Sequence, residues 1–161
     1  AIPRGASVYL GNSLPIREWN QFAAFENREF TMRENRGANG IDGQISTFLG
    51  AAAPGRENWA IVGDLTALYD LSAPWALRHL TGTIVRIVIV NNGGGRIFGR
   101  LFANPSFQNL HRTSFEGWAA LWSLPWAADL AIEEGEPAAL FELRPDEGQT
   151  TAFWAAWSAL R

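Results

Sequence analysis

The sequence predicts an α/β fold of three layers, with a mostly parallel, doubly wound sheet of about six strands and helices on both faces. Three observations predict it. Short β-type runs alternate with helical stretches along the chain. The run "IVRIVIV" at 84–90 is almost continuously apolar, as a strand covered on both faces must be. Unusual loops at 11–13 ("GNS"), 63–64 ("GD") and 91–95 ("NNGGG") each follow a strand. In a parallel sheet such loops share one edge, where ligands bind near the point of strand-order reversal.

Each element has its own local reason. "SVYLGN" reads as the first strand. Ser13 then reads as an N-cap, with Pro15 in the first turn of a helix running to about Glu26. "EFTMRE" is the second strand, "NRGANGIDG" a Gly-rich loop and "QISTFLGAAA" the next helix. "WAIVGD" is the third strand, and a helix follows through "TALYDLSAPWALRHL", kinked or restarted at Pro74. "IVRIVIVNN" is the fourth strand and "FEGWAALWSL" a helix. "AADLAIEE" and "PAALFELRP" read as the last two strands, and "EGQTTAFWAAWSALR" as the terminal helix.

Composition narrows the function. The 161 residues suit a single domain, 1–161, and 47% hydrophobic against 18% charged content is globular. A net charge of -3 without a basic run argues against nucleic acid as a partner. The absence of cysteine excludes disulfides and thiolate metal sites and is compatible with a cytoplasmic location. No stretch is long and apolar enough for a membrane span, and no signal peptide is visible. All 13 basic residues are Arg, so lysine Schiff-base and Walker-type chemistry are excluded. The chain opens at Ala1 without Met, as an excised piece of a longer protein would. Most of the eight Trp lie late in the chain and are expected in a core or subunit interface.

Asp64 and Asn91 end two strands joined by one crossover. On neighbouring strands, about 5 Å apart, their side-chain oxygens can reach one ion. One carboxylate and one amide oxygen form a sparse, hard set that suits Mg2+ completed by phosphate oxygens and water. The glycines after Asn91 let backbone groups come close, and Thr66 adds a hydroxyl at a helix start. The physical reading is a magnesium-bridged diphosphate. Taken singly, Asp64 is an ordinary helix cap and "NNGGG" an ordinary turn; their placement at consecutive strand ends favours the ligand reading. Arg17 lies in or next to a helix's first turn, where a cation opposes the dipole, and Arg36 lies in the Gly-rich loop; taken singly, each reads as a solvated surface Arg. His79 and His111 have no ligand or triad partner at useful spacing.

"GDL" followed by "NN" resembles the motif of thiamine diphosphate-dependent enzymes, which usually begins Gly-Asp-Gly and ends in Asn. Leu65 replaces the last Gly. Together "GNSLPIR", "NRGANGIDG", "GDLTALYDLSA" and "NNGGGRIF" resemble one branch over residues 7 to 101: the MenD type, 2-succinyl-5-enolpyruvyl-6-hydroxy-3-cyclohexene-1-carboxylate synthase of menaquinone biosynthesis. The resemblance implies a thiamine diphosphate-binding fold and the C-terminal fragment of a three-domain transferase. That enzyme decarboxylates 2-oxoglutarate and adds the succinyl carbanion to isochorismate.

By position, the resemblance makes Asp64, Asn91 and the Gly93 carbonyl the Mg2+ ligands. It places Gly63, Leu65, Thr66 and Ile41 against the cofactor, and Ser13, Arg17, Arg36, Ile97 and Phe98 against substrate. It implies a pyrimidine-binding domain as partner, a homo-oligomer for the full-length enzyme, and a cofactor-activating glutamate on that other domain. No catalytic residue is therefore expected in this fragment, which alone is expected to be inactive. Leu65, Arg17 and "NRGANGIDG" favour this type over another thiamine diphosphate-dependent 2-oxo acid decarboxylase or an acetolactate synthase-like enzyme. Intact Asp64 and Asn91 argue against a non-catalytic binding or assembly module.

Overall fold

The strands β1 (Ser7–Leu10), β2 (Thr31–Glu34), β3 (Glu57–Gly63), β4 (Ile84–Val90), β5 (Trp126–Ala127) and β6 (Ala138–Leu143) form one sheet in the order β2-β1-β3-β4-β6-β5. Every pairing is parallel, as expected. The computed structural model describes residues 2–160 apart from Ala38, Leu101, Ala103 and residues 132–134. Helices are α1 (Leu14–Phe22), α2 (Gln44–Ala51), α3 (Asp64–Leu68), α4 (Glu116–Leu121) and α5 (Glu147–Ala159), with 3-10 turns at Ala73–His79, Arg96–Arg100 and Pro105–Gln108. The chain leaves β1 toward β2 and returns to β3 on the other side. The strand order therefore reverses between β1 and β3, and a crevice opens beyond their C-terminal ends.

The alternation along each strand builds two cores. Tyr9, Ala60, Val62, Val85, Ile87, Ile89 and Leu140 pack with α2, α3 and α4 through Ile45, Phe48, Leu49, Ala67 and Trp118. Val8, Leu10, Trp59, Val88, Ala139 and Phe141 form the opposite face, covered by Ile16 and Trp19 of α1. Trp59 stacks on Phe141 with ring centroids 5.7 Å apart. Trp59 and Trp118 are buried, so part of the tryptophan content is core. By contrast α5 has no buried residue; Phe153, Trp154 and Trp157 meet Phe22 of α1 edge-on. Among the described residues no helix is long and apolar enough to cross a membrane.

Several boundaries differ from expectation. The first helix ends at Phe22 rather than Glu26, because Ala23 is extended. Ser13 occupies the N-cap position without capping: its φ of 74° departs from the β-region geometry a side-chain cap uses, and its hydroxyl makes no cap bond. The helix expected over 66–80, with a kink or restart at Pro74, already breaks before that residue. α3 stops at Leu68, and Pro74 opens a separate 3-10 turn. α4 is shorter than "FEGWAALWSL" and ends before Ser123, whose φ is 54°. Of the expected strand "AADLAIEE" only Ala127 lies in β5. Asp129 Oδ1 accepts from Ala131 N at 2.9 Å, a local turn that takes the chain off the sheet, and residues 132–134 lie outside the described residues. In the terminal helix Asp146 caps α5 by accepting from Gln149 N at 2.7 Å; Arg161 lies outside the described residues.

Two stability predictions follow from this packing. Leu140 is fully buried and Leu121 is 70% exposed. In denaturant unfolding Leu140→Ala should cost about 2–5 kcal/mol and Leu121→Ala no more than about 0.5 kcal/mol; equal costs would contradict the assigned core. The buried Tyr9 hydroxyl has no hydrogen-bond partner among the described residues. Burial, then the charges of Asp70 and Glu34, push its pKa up to about 12. The folded chain thus holds a proton that the unfolded chain releases near about pH 10, so stability falls as pH rises from there toward the folded value. Tyr9→Phe should flatten that alkaline decline while changing stability at pH 7 by less than about 1 kcal/mol. An unchanged alkaline slope would contradict the assignment.

Candidate cofactor and metal site

Register brings the two strand ends together. Gly63 pairs with Val90, so Asp64 and Asn91 follow on adjacent strands. Both are buried, at 2% and 8% exposure. Asp64 Oδ1 accepts from Leu65 N at 2.7 Å, and its Oδ2 accepts from Gly93 N at 2.8 Å and Gly94 N at 2.9 Å. Asn91 Nδ2 donates to Thr113 O at 2.8 Å and Glu142 Oε1 at 2.6 Å. A carbonyl and a carboxylate accept, so they determine which end of the amide faces them. Asn91 Oδ1 is turned the other way and meets Gly93 N at 3.3 Å. The two predicted ligand oxygens therefore converge on one backbone N–H.

Glycine is needed in the loop that closes over them. Gly93 and Gly94 have φ of 79° and 136°, and a Cβ on Gly94 would stand 2.6 Å from Gln108 O. The Gly93 carbonyl, a predicted backbone ligand, accepts from His111 N at 3.1 Å.

In front of this loop is a cavity of about 500 Å³ at the β1–β3 crevice. Of the residues expected at the site, Ser13, Arg17, Arg36, Ile41, Gly63, Asp64, Leu65, Thr66, Ile97 and Phe98 all line it. Asn91 and Gly93 do not; they are joined to each other at the strand ends. Arg17 donates to Ser13 O at 2.6 Å, which ties it to the strained turn before α1. A neighbouring cavity of about 930 Å³, between α1 and α5, shares Arg17, Asn92, Arg96 and Ile97 with the first.

Several supporting residues escaped the sequence reading. Buried Asn12 donates through Nδ2 to Gly40 O at 2.9 Å and Asn35 O at 3.2 Å, while Gln44 donates to Gly40 O at 2.7 Å. These bonds fasten the loop bearing Arg36 and Ile41 to the end of β1. Asp70 accepts from Ser46 N at 2.7 Å and Ser46 Oγ at 2.8 Å, holding α2 against the segment after α3. His111, which had no partner by spacing, has Nε2 3.2 Å from Asp64 Oδ2, without the alignment of a hydrogen bond. Its Nδ1 accepts from Thr113 N at 3.2 Å, which leaves the proton for Nε2. Arg96 donates to Asn92 O at 3.0 Å and lies 3.3 Å from Glu147 of α5. Glu142 is 1% exposed. Burial pushes its pKa up, but donors from Asn91, Phe115 N and Arg144 outweigh this and hold the group below the usual carboxylate range.

The donor set fits a hard cation. Among the described residues no cluster of three or more His, Cys, Asp or Glu is placed to hold a metal. What converges is one carboxylate, one oriented amide oxygen and a glycine loop, leaving most of an octahedral shell to phosphate and water. Asn91 Oδ1 carries one long bond and keeps acceptor capacity.

No protein-family model matches the chain. It is 47% identical, over 98% of its length, to 2-succinyl-5-enolpyruvyl-6-hydroxy-3-cyclohexene-1-carboxylate synthase of Bdellovibrio bacteriovorus, and covers 31% of that protein. The synthases of Akkermansia muciniphila and Roseiflexus castenholzii are each 38% identical, over 91% and 90% of this chain and 30% and 28% of their own length. A crystal structure assigned as a thiamin diphosphate-dependent enzyme from Mycobacterium smegmatis superposes with a TM-score of 0.65 at 15% identity, over 91% of this chain and 30% of that one. At that identity the likeness shows the fold. The chain spans less than a third of the length of the curated relatives it matches. Over nearly its whole length the chain is therefore homologous to one domain of the 2-succinyl-5-enolpyruvyl-6-hydroxy-3-cyclohexene-1-carboxylate synthases, and it has the fold of a thiamine diphosphate-dependent enzyme.

Proposed function

We propose that this domain anchors Mg2+ and the diphosphate of thiamine diphosphate for a synthase that decarboxylates 2-oxoglutarate and adds the product carbanion to isochorismate. The observation that carries the reading is the convergence of Asp64 Oδ2 and Asn91 Oδ1 on Gly93 N, behind a cavity lined by the other expected residues. When bound, the cofactor supplies an electron sink for decarboxylation. The chain's residues bind and orient. Asp64, Asn91 and the Gly93 carbonyl would hold the cation, and Gly63, Leu65 and Thr66 would border the diphosphate. Ile41 would press on the cofactor's body. Arg17 and Arg36 would hold substrate carboxylates, for which a planar guanidinium offers paired donors. Ser13, Ile97 and Phe98 would complete that end of the cavity.

The missing parts follow from the same reading. The group that activates the cofactor would come from a pyrimidine-binding domain, in a full-length homo-oligomer working in the cytoplasm.

Three experiments on the full-length enzyme test this. Asp64→Ala should weaken Mg2+-dependent thiamine diphosphate binding by more than about 100-fold in calorimetry, beyond the loss typical of outer-shell changes; unchanged affinity would remove the metal site. Arg36→Ala should raise KM for a carboxylated substrate about tenfold or more without lowering the Tm, in keeping with the loss of a charged hydrogen bond. A lowered Tm with unchanged KM would make Arg36 structural. Product should form only when 2-oxoglutarate and isochorismate are both supplied, and turnover of pyruvate alone would contradict the substrate assignment.

A further inference from the structure

A buried carboxylate is costly unless donors surround it, and an apolar side chain of similar size is often at least as stable. On β6 the flanking residues are Phe141 and Leu143, yet Glu142 is an acid and is 1% exposed. Its Oε1 accepts from Asn91 Nδ2 at 2.6 Å and from Arg144 Nε at 2.8 Å, and Arg144 Nη2 is ion-paired with it at 2.7 Å. Its Oε2 faces Phe115 N at 3.0 Å, Trp126 Nε1 at 3.2 Å and Ser114 Oγ at 3.4 Å. Donors from Asn91 just beyond β4, from β5, from the start of α4 and from Arg144 just beyond β6 thus fix the position of this carboxylate. Of them, only Asn91 belongs to the candidate metal pair.

An asparagine amide has nearly the same shape after its oxygen and nitrogen exchange places, so packing alone cannot choose between the two orientations. In one, the oxygen faces Asp64 and can bind a cation. In the other, an NH2 group faces it and cannot. Thr113 O and Glu142 Oε1 both demand the nitrogen on their side. The β4–β6 register, with Ile89 opposite Glu142, places the carboxylate within reach.

We propose that Glu142 is a positioning residue for Asn91: it holds the amide with its oxygen toward Asp64, so that the ligand pair is set before the metal arrives. The proposal rests on reading Asp64 and Asn91 as the Mg2+ pair. Outer-shell partners of this kind typically carry 10–100-fold in metal affinity.

The test uses the full-length enzyme and measures Mg2+ affinity by calorimetry at saturating thiamine diphosphate, with the Tm of the metal-free protein recorded alongside. Glu142→Met keeps the length and removes the acceptor; it should weaken Mg2+ by about 10–100-fold. In an Asn91→Ala background the same change should cost less than about threefold, because the group it acts through is gone. Glu142→Gln, a milder change that keeps one acceptor oxygen, should weaken Mg2+ by at least about threefold, and that loss too should vanish with Asn91→Ala. Trp126→Phe removes a donor from the far oxygen and should leave Mg2+ affinity within about twofold even where the Tm falls. The proposal is overturned if folded Glu142 variants bind Mg2+ as the parent does, or if they lose the same factor in both backgrounds, which would mark a structural role. If Asp64→Ala and Asn91→Ala themselves leave Mg2+ affinity unchanged, the metal-site reading fails first, a result distinguishable from failure of Glu142 alone.

Discussion

The parallel pairing of β3 with β4 is the constraint on which the site depends. The ladder runs in register from Glu57 opposite Ile84 to Gly63 opposite Val90, so the residues immediately beyond its end are Asp64 and Asn91. A slip of β4 by one residue would turn Ile87 and Ile89 out of the core and would also separate the two oxygens. Burial of Ala60, Val62, Ile87 and Ile89 therefore fixes both the fold and the spacing of Asp64 and Asn91. The site inherits its geometry from the most hydrophobic part of the molecule.

Beyond the strand ends no ladder holds the chain, and buried side chains take over. Asn12 and Gln44 clamp the loop carrying Arg36 and Ile41 through Gly40. Asp70 ties Ser46 to the segment after α3. Asp64 gathers the amides of Gly93 and Gly94, drawing the glycine loop over the strand ends. Each clamp is a buried polar group matched by donors or acceptors, and each would be expensive to leave half-matched. The crevice is therefore built by polar bonds on an apolar platform.

Legibility in the sequence tracks the range of the interactions. β4 was plain from "IVRIVIV", and the loops at 11–13, 63–64 and 91–95 were placed on one edge by topology alone. The residues expected at the site, from Ser13 to Phe98, are clustered in motifs, and most of them line one cavity. What escaped depends on distant partners. His111 meets Asp64 from a loop after the 3-10 turn at Pro105–Gln108, and Glu142 meets Asn91 across 51 positions. Local chemistry also misled. "AADLAIEE" has apolar content enough for a strand, but the turn at Asp129 ends pairing after Ala127. Ser13 has the residue type of a cap, but its φ of 74° forbids the role.

The central claim is that the ends of β3 and β4 form a single cation site. Anomalous diffraction from Mn2+ bound with thiamine diphosphate in the full-length enzyme tests it most directly. The account predicts one strong peak within coordination distance, about 2.0–2.3 Å, of side-chain oxygens from both Asp64 and Asn91. A peak that touches only one of them, or lies away from both, would contradict it.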